Sequence, residues 1–324
     1  MKKIRILLMI MSLSAVSCVE KITVDSKNQD TKLIVNAQMS ASEKKHTIFI
    51  GSGEGYSVGA YNGASVTCTI NGEKRIKATL KENEDSYSQN VLSEYVLNTE
   101  FQPGDSVRLD IGSKYGDVYS AVRVPETSAE ITGIDTTSKG YLFHLTVHIE
   151  EEEPAGLNYY RIRLRHRYEA TGYDDSGAVV KRGSGSNFVS LDNDNDPILN
   201  GGQLGEDQLI DKAPNVYCVF NNRFFQDGKA TIEVTARTES LYQLKVGGNA
   251  DHWAVKNKAE LSLLSISKEE YNYLSYLNSL QAADDDFSYF FEPMVLPNNV
   301  EGGLGFVSIA SERTFSFQLE DKVY

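Results

Sequence analysis

Arg161, Arg163, Arg165 and Arg167 alternate with Ile162, Leu164 and His166 in one uninterrupted run. A strand turns successive side chains to opposite faces, so this spacing sets four guanidinium groups in a row about 20 Å long. Such a row of forked donors suits carboxylates, phosphates or an acidic protein surface. His144 and His148 share one face of the preceding run, Tyr141 to Ile149. A hairpin through the acidic turn Glu150 to Pro154 would add them, with Thr146, to the same stripe. The default reading is plainer, a solvated sheet face neutralised by nearby acids, with Glu233 and the Glu150 to Glu153 turn as counter-charges.

Other polar clusters are weaker. Asp192, Asp194 and Asp196 alternate with asparagines, an oxygen-rich arrangement of the kind that takes calcium. As an EF-hand loop it is broken, because Pro197 occupies the glycine position and Gln203 stands where a bidentate carboxylate belongs. A solvated loop is the default there, with a looser calcium site on Asp192, Asp194 and Asp196 as the alternative. His144 and His148 lie about 13 Å apart along a strand, too far to share one metal ion. Cys68 and Cys218 lack the paired spacing of a structural zinc site, so zinc is unsupported and no cofactor is expected. Gly55-Tyr56-Ser57-Val58-Gly59 spells the serine-hydrolase elbow, but Ala60 to Gly63 leads into another strand where that elbow needs a helix. No nucleophile, base and orienting group can be assembled, and an enzyme is the least favoured reading. Asn298, Asn299 and Glu301 form a candidate partner loop, while Gly302, Gly303 and Gly305 read as a tight turn rather than a phosphate cradle.

The elements that must position these residues are mainly strands. Leu33 to Met39, Thr47 to Ile50, Ala64 to Ile70, Glu94 to Asn98 and Ser106 to Ile111 are short, β-branched and aromatic, and separated by Gly, Asn and Asp clusters. Asn71-Gly72 suits a hairpin turn needing positive φ at two positions. The expected architecture is two β-sandwiches of immunoglobulin or fibronectin type, 33–126 and 127–324, the second carrying one helix at 268–282. Ser267 and Glu270 form a capping box for that helix, with Tyr271, Leu274, Leu277 and Leu280 as its apolar face. Cys68 and Cys218 fall in different units within strand-like runs and read as buried free thiols.

Lys2, Lys3 and Arg5 precede an apolar run, Ile6 to Val16, that ends in small residues before Cys18. This reads as a lipoprotein signal over 1–17, an acylated Cys18 and a tether to residue 32. Removing those three cations takes the formal charge from −13 to about −16, which disfavours nucleic acid as a partner. Three further stretches are distinctive: Phe224-Phe225-Gln226-Asp227-Gly228-Lys229, Leu263 to Leu274, and Phe291-Glu292-Pro293 followed by Asn298-Asn299-Val300-Glu301-Gly302-Gly303-Leu304-Gly305. In these the chain resembles the Bacteroidota lipoprotein family catalogued as domain-of-unknown-function 4249, departing from its pattern at Phe306-Val307. The resemblance implies a β-sandwich lipoprotein of the cell envelope, in a group associated with outer-membrane TonB-dependent transport, and brings no catalytic residues. The function expected is a non-catalytic binding module accessory to such a transporter, anchored in the outer membrane through Cys18; the alternative is a structural or adhesive component.

Overall fold

The computed structural model describes residues 31–54, 57–81, 92–152, 156–201, 214–243, 250–282 and 296–324. The signal 1–17, Cys18, the tether up to residue 30 and Phe291-Glu292-Pro293 lie outside the described residues.

The protein is mainly β, as its alternating runs require. The first stretch forms β1 (Lys32–Ser40), β2 (Lys45–Glu54), β3 (Ser57–Ala60), β4 (Ser65–Ile70), β5 (Lys74–Lys77), β6 (Thr79–Leu80), β7 (Ser93–Asn98), β8 (Ser106–Gly112) and β9 (Val118–Arg123). There follow β10 (Ala129–Lys139), β11 (Leu142–Glu151), β12 (Tyr159–Tyr173), β13 (Val179–Val189), β14 (Val219–Asn221) and β15 (Lys229–Arg237). A short helix α1 (Thr238–Leu241), β16 (His252–Ile266), helix α2 (Lys268–Ala282), β17 (Leu304–Gln318) and β18 (Lys322–Val323) complete the order. The hairpin at Asn71-Gly72 has the positive φ values its residues suit, 52° and 76°.

One 11-stranded sheet runs in the order β13-β12-β16-β17-β1-β2-β7-β6, with β14, β18 and β3 paired off this path to β12, β16 and β2, beside a three-stranded sheet β10-β11-β15 and a four-stranded sheet β5-β4-β8-β9. Its middle is β17, which runs parallel to β1 from Leu304 to Ala310 and antiparallel to β16 from Ser311 to Gln318. Two cores follow. One buries Ile48, Leu97, Leu109 and Ile111 together with Val300, Val307 and Ile309 from the far end of the chain. The other sets Leu145, Val147 and Ile149 of β11 against Ile162 and Leu164 of β12 and Leu261 and Leu263 of β16. The expected unit 33–126 therefore does not close on its own residues. A parallel neighbour for β1 cannot come from a tight turn, and the chain end supplies it. The Ser311 hydroxyl donates to the carbonyl of Pro125 at this junction. Cys68 and Cys218 are free, buried and in different cores, as the sequence predicts.

The pairing of β11 with β12 is corrected. β11 pairs with β10 and β15, whereas β12 pairs with β13, β14 and β16. Both strands have one apolar face, and packing those faces across a core removes more apolar surface from water than laying the strands side by side. The corner is held by Glu151, which is buried and accepts hydrogen bonds from Tyr160 Oη at 2.6 Å, Asn222 Nδ2 at 3.0 Å and Ser128 Oγ at 3.3 Å.

Helix α2 has the predicted limits, and the Ser267 hydroxyl accepts from the Glu270 N–H at 3.1 Å. Its buried face is rotated from the one expected. Glu270, Leu274 and Asn278 point inward, with Tyr271, Tyr273 and Leu277 packed at the margin, while Leu280 is 43% exposed. The Tyr273 ring stacks on Phe306 at a centroid distance of 4.2 Å.

Candidate functional site

Along β12 the alternation holds: Ile162, Leu164 and His166 are buried and the four arginines project from the opposite face. Counter-charges come from elements other than those expected. Arg167 pairs with Glu260 of β16, Arg165 with Glu43 at 3.6 Å, and Arg163 with Glu312 of β17 at 3.3 Å. Burial works to raise the Glu312 carboxyl, but the Ser262 hydroxyl, Arg163 and the hydroxyls of Ser40 and Ser42 outweigh it and hold it below its ordinary value. Glu233 and Glu150 lie on β15 and β11 in the other sheet, and the Glu150 carboxylate pairs there with Lys229 at 3.1 Å.

Arg161 makes none of these ion pairs. Its Nε donates to the carbonyl of Tyr217 at 3.1 Å and its guanidinium lies 5.3 Å from the Tyr217 ring centre. Burial and the neighbouring Arg163 depress its proton affinity, yet an arginine remains charged. Here the sheet has a gap. β13 leaves β12 at the Leu164–Val189 pair, and β14 joins it only at Arg161–Val219. The gap opens a cleft of about 360 Å³ lined by Arg161, Arg163, Phe188, Val216 and Tyr217. Phe188 is 56% exposed, with the Arg163 and Arg165 guanidinium groups 5.0 and 4.6 Å from its ring centre.

The cleft wall at 215–219 is fixed by amides. Asn215 Nδ2 donates to the carbonyls of Leu199 and Val219, its Oδ1 accepts from Asn278 Nδ2, and its own carbonyl accepts from Asn193 Nδ2. Cys218 adopts φ 50°, and burial pushes its thiol up to about 11, far from nucleophilic at neutral pH. Behind the arginines sits Glu270, which sequence reasoning assigned only to a helix cap. Burial raises its carboxyl to about 7, against the opposing pull of Arg161, Ser308 and Arg163. The available signal is its position one helical turn before the fully buried Leu274.

The remaining candidates are placed elsewhere or used up. His144 and His148 lie on the outer face of the three-stranded sheet, where His144 Nδ1 meets Thr235 Oγ1 at 3.2 Å and His148 Nε2 meets Asp135 Oδ2 at 3.0 Å. They do not join the arginine row.

Asp192, Asp194 and Asp196 do not converge. Asp196 is fully buried and accepts from the N–H groups of Leu199 and Glu233, each at 2.7 Å; Asp192 accepts from the N–H of Asp194. The carbonyls of Asn193, Asp194 and Asp196 close instead on Asn200 Nδ2, at 2.7, 2.9 and 2.9 Å. Among the described residues no three His, Cys, Asp or Glu side chains form a metal-binding group.

Asn299 mimics a strand, exchanging two hydrogen bonds with Val307, and Asn298 Nδ2 reaches the carbonyls of Val300 and Gly303. Glu301 pairs with Tyr119 through the backbone, leaving its side chain exposed. Gly305 has φ 124°, and a Cβ there would lie 2.0 Å from the carbonyl oxygen of Val35. The loop is a clasp that seats β17 against β1. Ser57 opens β3, which pairs antiparallel with β2, so the elbow context fails. Gly55 and Tyr56 lie outside the described residues.

Fold and site together define a mainly β protein with a basic, aromatic-walled cleft at a break in its long sheet. The model of the family described as a domain of unknown function, DUF4249, matches residues 19–316, and the chain belongs to that family. No curated protein matches. Among solved structures it is similar to a DUF4785 family protein from Legionella pneumophila, at 10% identity and TM-score 0.24, covering 74% of this chain and 54% of that one. It is also similar to a β-glucuronidase from Parabacteroides merdae, at 11% identity and TM-score 0.21, covering 74% of this chain and 25% of that one. A putative carbohydrate binding protein from Bacteroides uniformis matches at 9% identity and TM-score 0.14, with 72% of this chain and 88% of that one covered. Likenesses this distant define neither a shared fold nor a shared function. No described helix is long and apolar enough to cross a membrane.

Proposed function

We propose that this chain is a lipid-anchored, non-catalytic binding module of the outer membrane, built from two β-sandwiches and accessory to a TonB-dependent transporter. The observation that carries the binding reading is the cleft at the break between β13 and β14, where Arg161 and Arg163 meet Phe188 and Tyr217. The sandwich description draws support from the two cores, each filled from the facing sides of different sheets. Support for the anchor is the basic, apolar and small-residue sequence ending at Cys18, and support for the transporter is the family resemblance. The thiols of Cys68 and Cys218, both pushed up to about 11 by burial, favour a non-catalytic reading.

A second reading, assembly into surface structures, is favoured by the open edge of β13, where Val179 and Val180 are exposed on the terminal strand of the long sheet. Fractionation separates the two. The wild-type chain should sediment with outer membranes and the Cys18→Ala variant should be released, and detergent extracts of the former should co-purify a TonB-dependent transporter. A wild-type chain recovered in soluble form contradicts the anchor, and recovery as polymers without a transporter favours assembly.

A further inference from the structure

Arg163, Arg165 and Arg167 each have a carboxylate within ion-pair distance, on Glu312, Glu43 and Glu260. Among the described residues Arg161 has none: its Nε donates to the Tyr217 carbonyl, while its two Nη groups donate to no protein atom and are not sealed from solvent. The acid that acts on it, Glu270, stays beyond ion-pair distance, and burial raises that carboxyl to about 7, leaving it partly uncharged at neutral pH. The Nε bond and the Tyr217 ring, 5.3 Å away, hold the guanidinium in place, so its free Nη edge is a pre-set fork. A carboxylate is the acceptor whose shape matches such a fork, and a half-dried setting strengthens the bond.

The apolar part lies beside it. Phe188 and Val216 line the same cleft and are exposed. Exposed apolar side chains next to an unpaired charge suit an occupant with both characters. The volume, about 360 Å³, is near the low end for a ligand pocket and admits about two side chains. An extended segment leaving the cleft along the arginine face would meet Arg163 and Arg165 next, whose guanidinium groups lie 5.0 and 4.6 Å from the Phe188 ring centre. The chain as a whole is acidic, at −13, but salt confines that repulsion to about 8 Å under physiological conditions, so the local cations decide which charge is taken.

Resting on the binding-module reading, we propose that the cleft docks an acidic and apolar segment of a partner protein, with one side-chain carboxylate on the Arg161 guanidinium and a neighbouring apolar side chain against Phe188 and Val216.

Calorimetric titration of the full chain, purified in detergent, tests both parts with capped peptides. Acetyl-Gly-Asp-Phe-Asp-Gly-amide offers acid and ring in either order; one variant has asparagine for both acids, another alanine for phenylalanine. The parent should bind about tenfold or more tighter than the asparagine peptide and about fivefold tighter than the alanine peptide, as one charge-assisted bond and one ring contact require. Phe188→Ala, at an exposed position, should weaken the parent peptide about fivefold at unchanged Tm, and Arg167→Gln, outside the cleft, should alter it less than about twofold. Equal binding of the three peptides, no heat with any of them, or undiminished affinity in Phe188→Ala would overturn the assignment. So would phenylacetate binding as tightly as the parent, which marks a site for a free acid, or a wild-type dimer that Phe188→Ala dissociates, which makes a second copy the occupant. A chain that sediments with membranes and co-purifies a transporter but takes up no peptide fails this inference alone. A soluble chain that binds the parent peptide and recovers no transporter fails the envelope reading alone.

Discussion

The loop from Asn298 to Gly305 and the Arg161 end of the arginine row are both rich in polar side chains, and they use them in opposite ways. In the loop the amides of Asn298 and Asn299 close on backbone groups of Val300, Gly303 and Val307, and glycines allow β17 to approach β1. At the cleft, Arg161 meets only the carbonyl and ring of Tyr217, and Phe188 and Val216 are exposed. Polar groups that satisfy one another build structure, and a guanidinium that lines a cleft without a paired carboxylate is left able to take an anion. The far end of the row repeats the lesson within one strand, because Arg167 is ion-paired with Glu260 whereas Arg161 donates to a carbonyl and interacts with the buried Glu270 without an ion pair.

Four substitutions sharpen or break this contrast. The largest effect is expected at Gly305, where alanine meets both an unfavourable φ and the Val35 carbonyl. Gly305→Ala should cost about 3 kcal/mol or more in chemical denaturation, or prevent folding.

Next is Glu270, whose carboxyl is raised from 4.5 to about 7. The fold favours its neutral form, so the stabilising contribution is complete below pH 4.5 and lost as pH rises through 7. Glu270→Gln should remove that loss, leaving the variant more stable than wild type by on the order of 2–3 kcal/mol at pH 8 and by little at pH 4. A parallel pH dependence of Tm in both chains contradicts a buried, poorly matched carboxyl.

Asn299→Ala deletes both bonds to Val307 and should cost about 1–2 kcal/mol without altering ligand affinity, since the loop is a clasp. A loss of binding at native Tm would return the loop to the list of partner surfaces. The smallest effect is expected at Arg167, whose partly exposed pair with Glu260 contributes about 0.5 kcal/mol or less, so Arg167→Gln should hardly move the denaturation midpoint.

Local periodicity made much of this legible. The period of two in β12 and the capping residues of α2 are encoded within a few residues, and the strand's alternation and the helix's limits and cap form as read, though not the helix's buried face. What escaped depends on partners distant in sequence. A strand pattern is the same whether two successive strands pair side by side or face each other across a core, so β11 and β12 read as a hairpin and His144 and His148 were placed beside the arginines. The parallel pairing of Ile34 with Leu304 has no local signature, and neither has the sharing of β17 between two cores. The cleft was half visible. Its cations stand out in the sequence, whereas Glu270 behind them is hidden in a capping motif and the opening arises from a gap between β13 and β14 that only the folded sheet contains.

The two ends of one arginine row differ in kind. Co-purification of a TonB-dependent transporter with the Arg161→Gln and Arg167→Gln chains, each first confirmed to retain a cooperative melt, compares them directly. Recovery of the transporter should fall about tenfold or more in the first and less than about twofold in the second, as expected when only the Arg161 guanidinium lines the cleft. Equal losses in both chains, or none in either, would contradict the account.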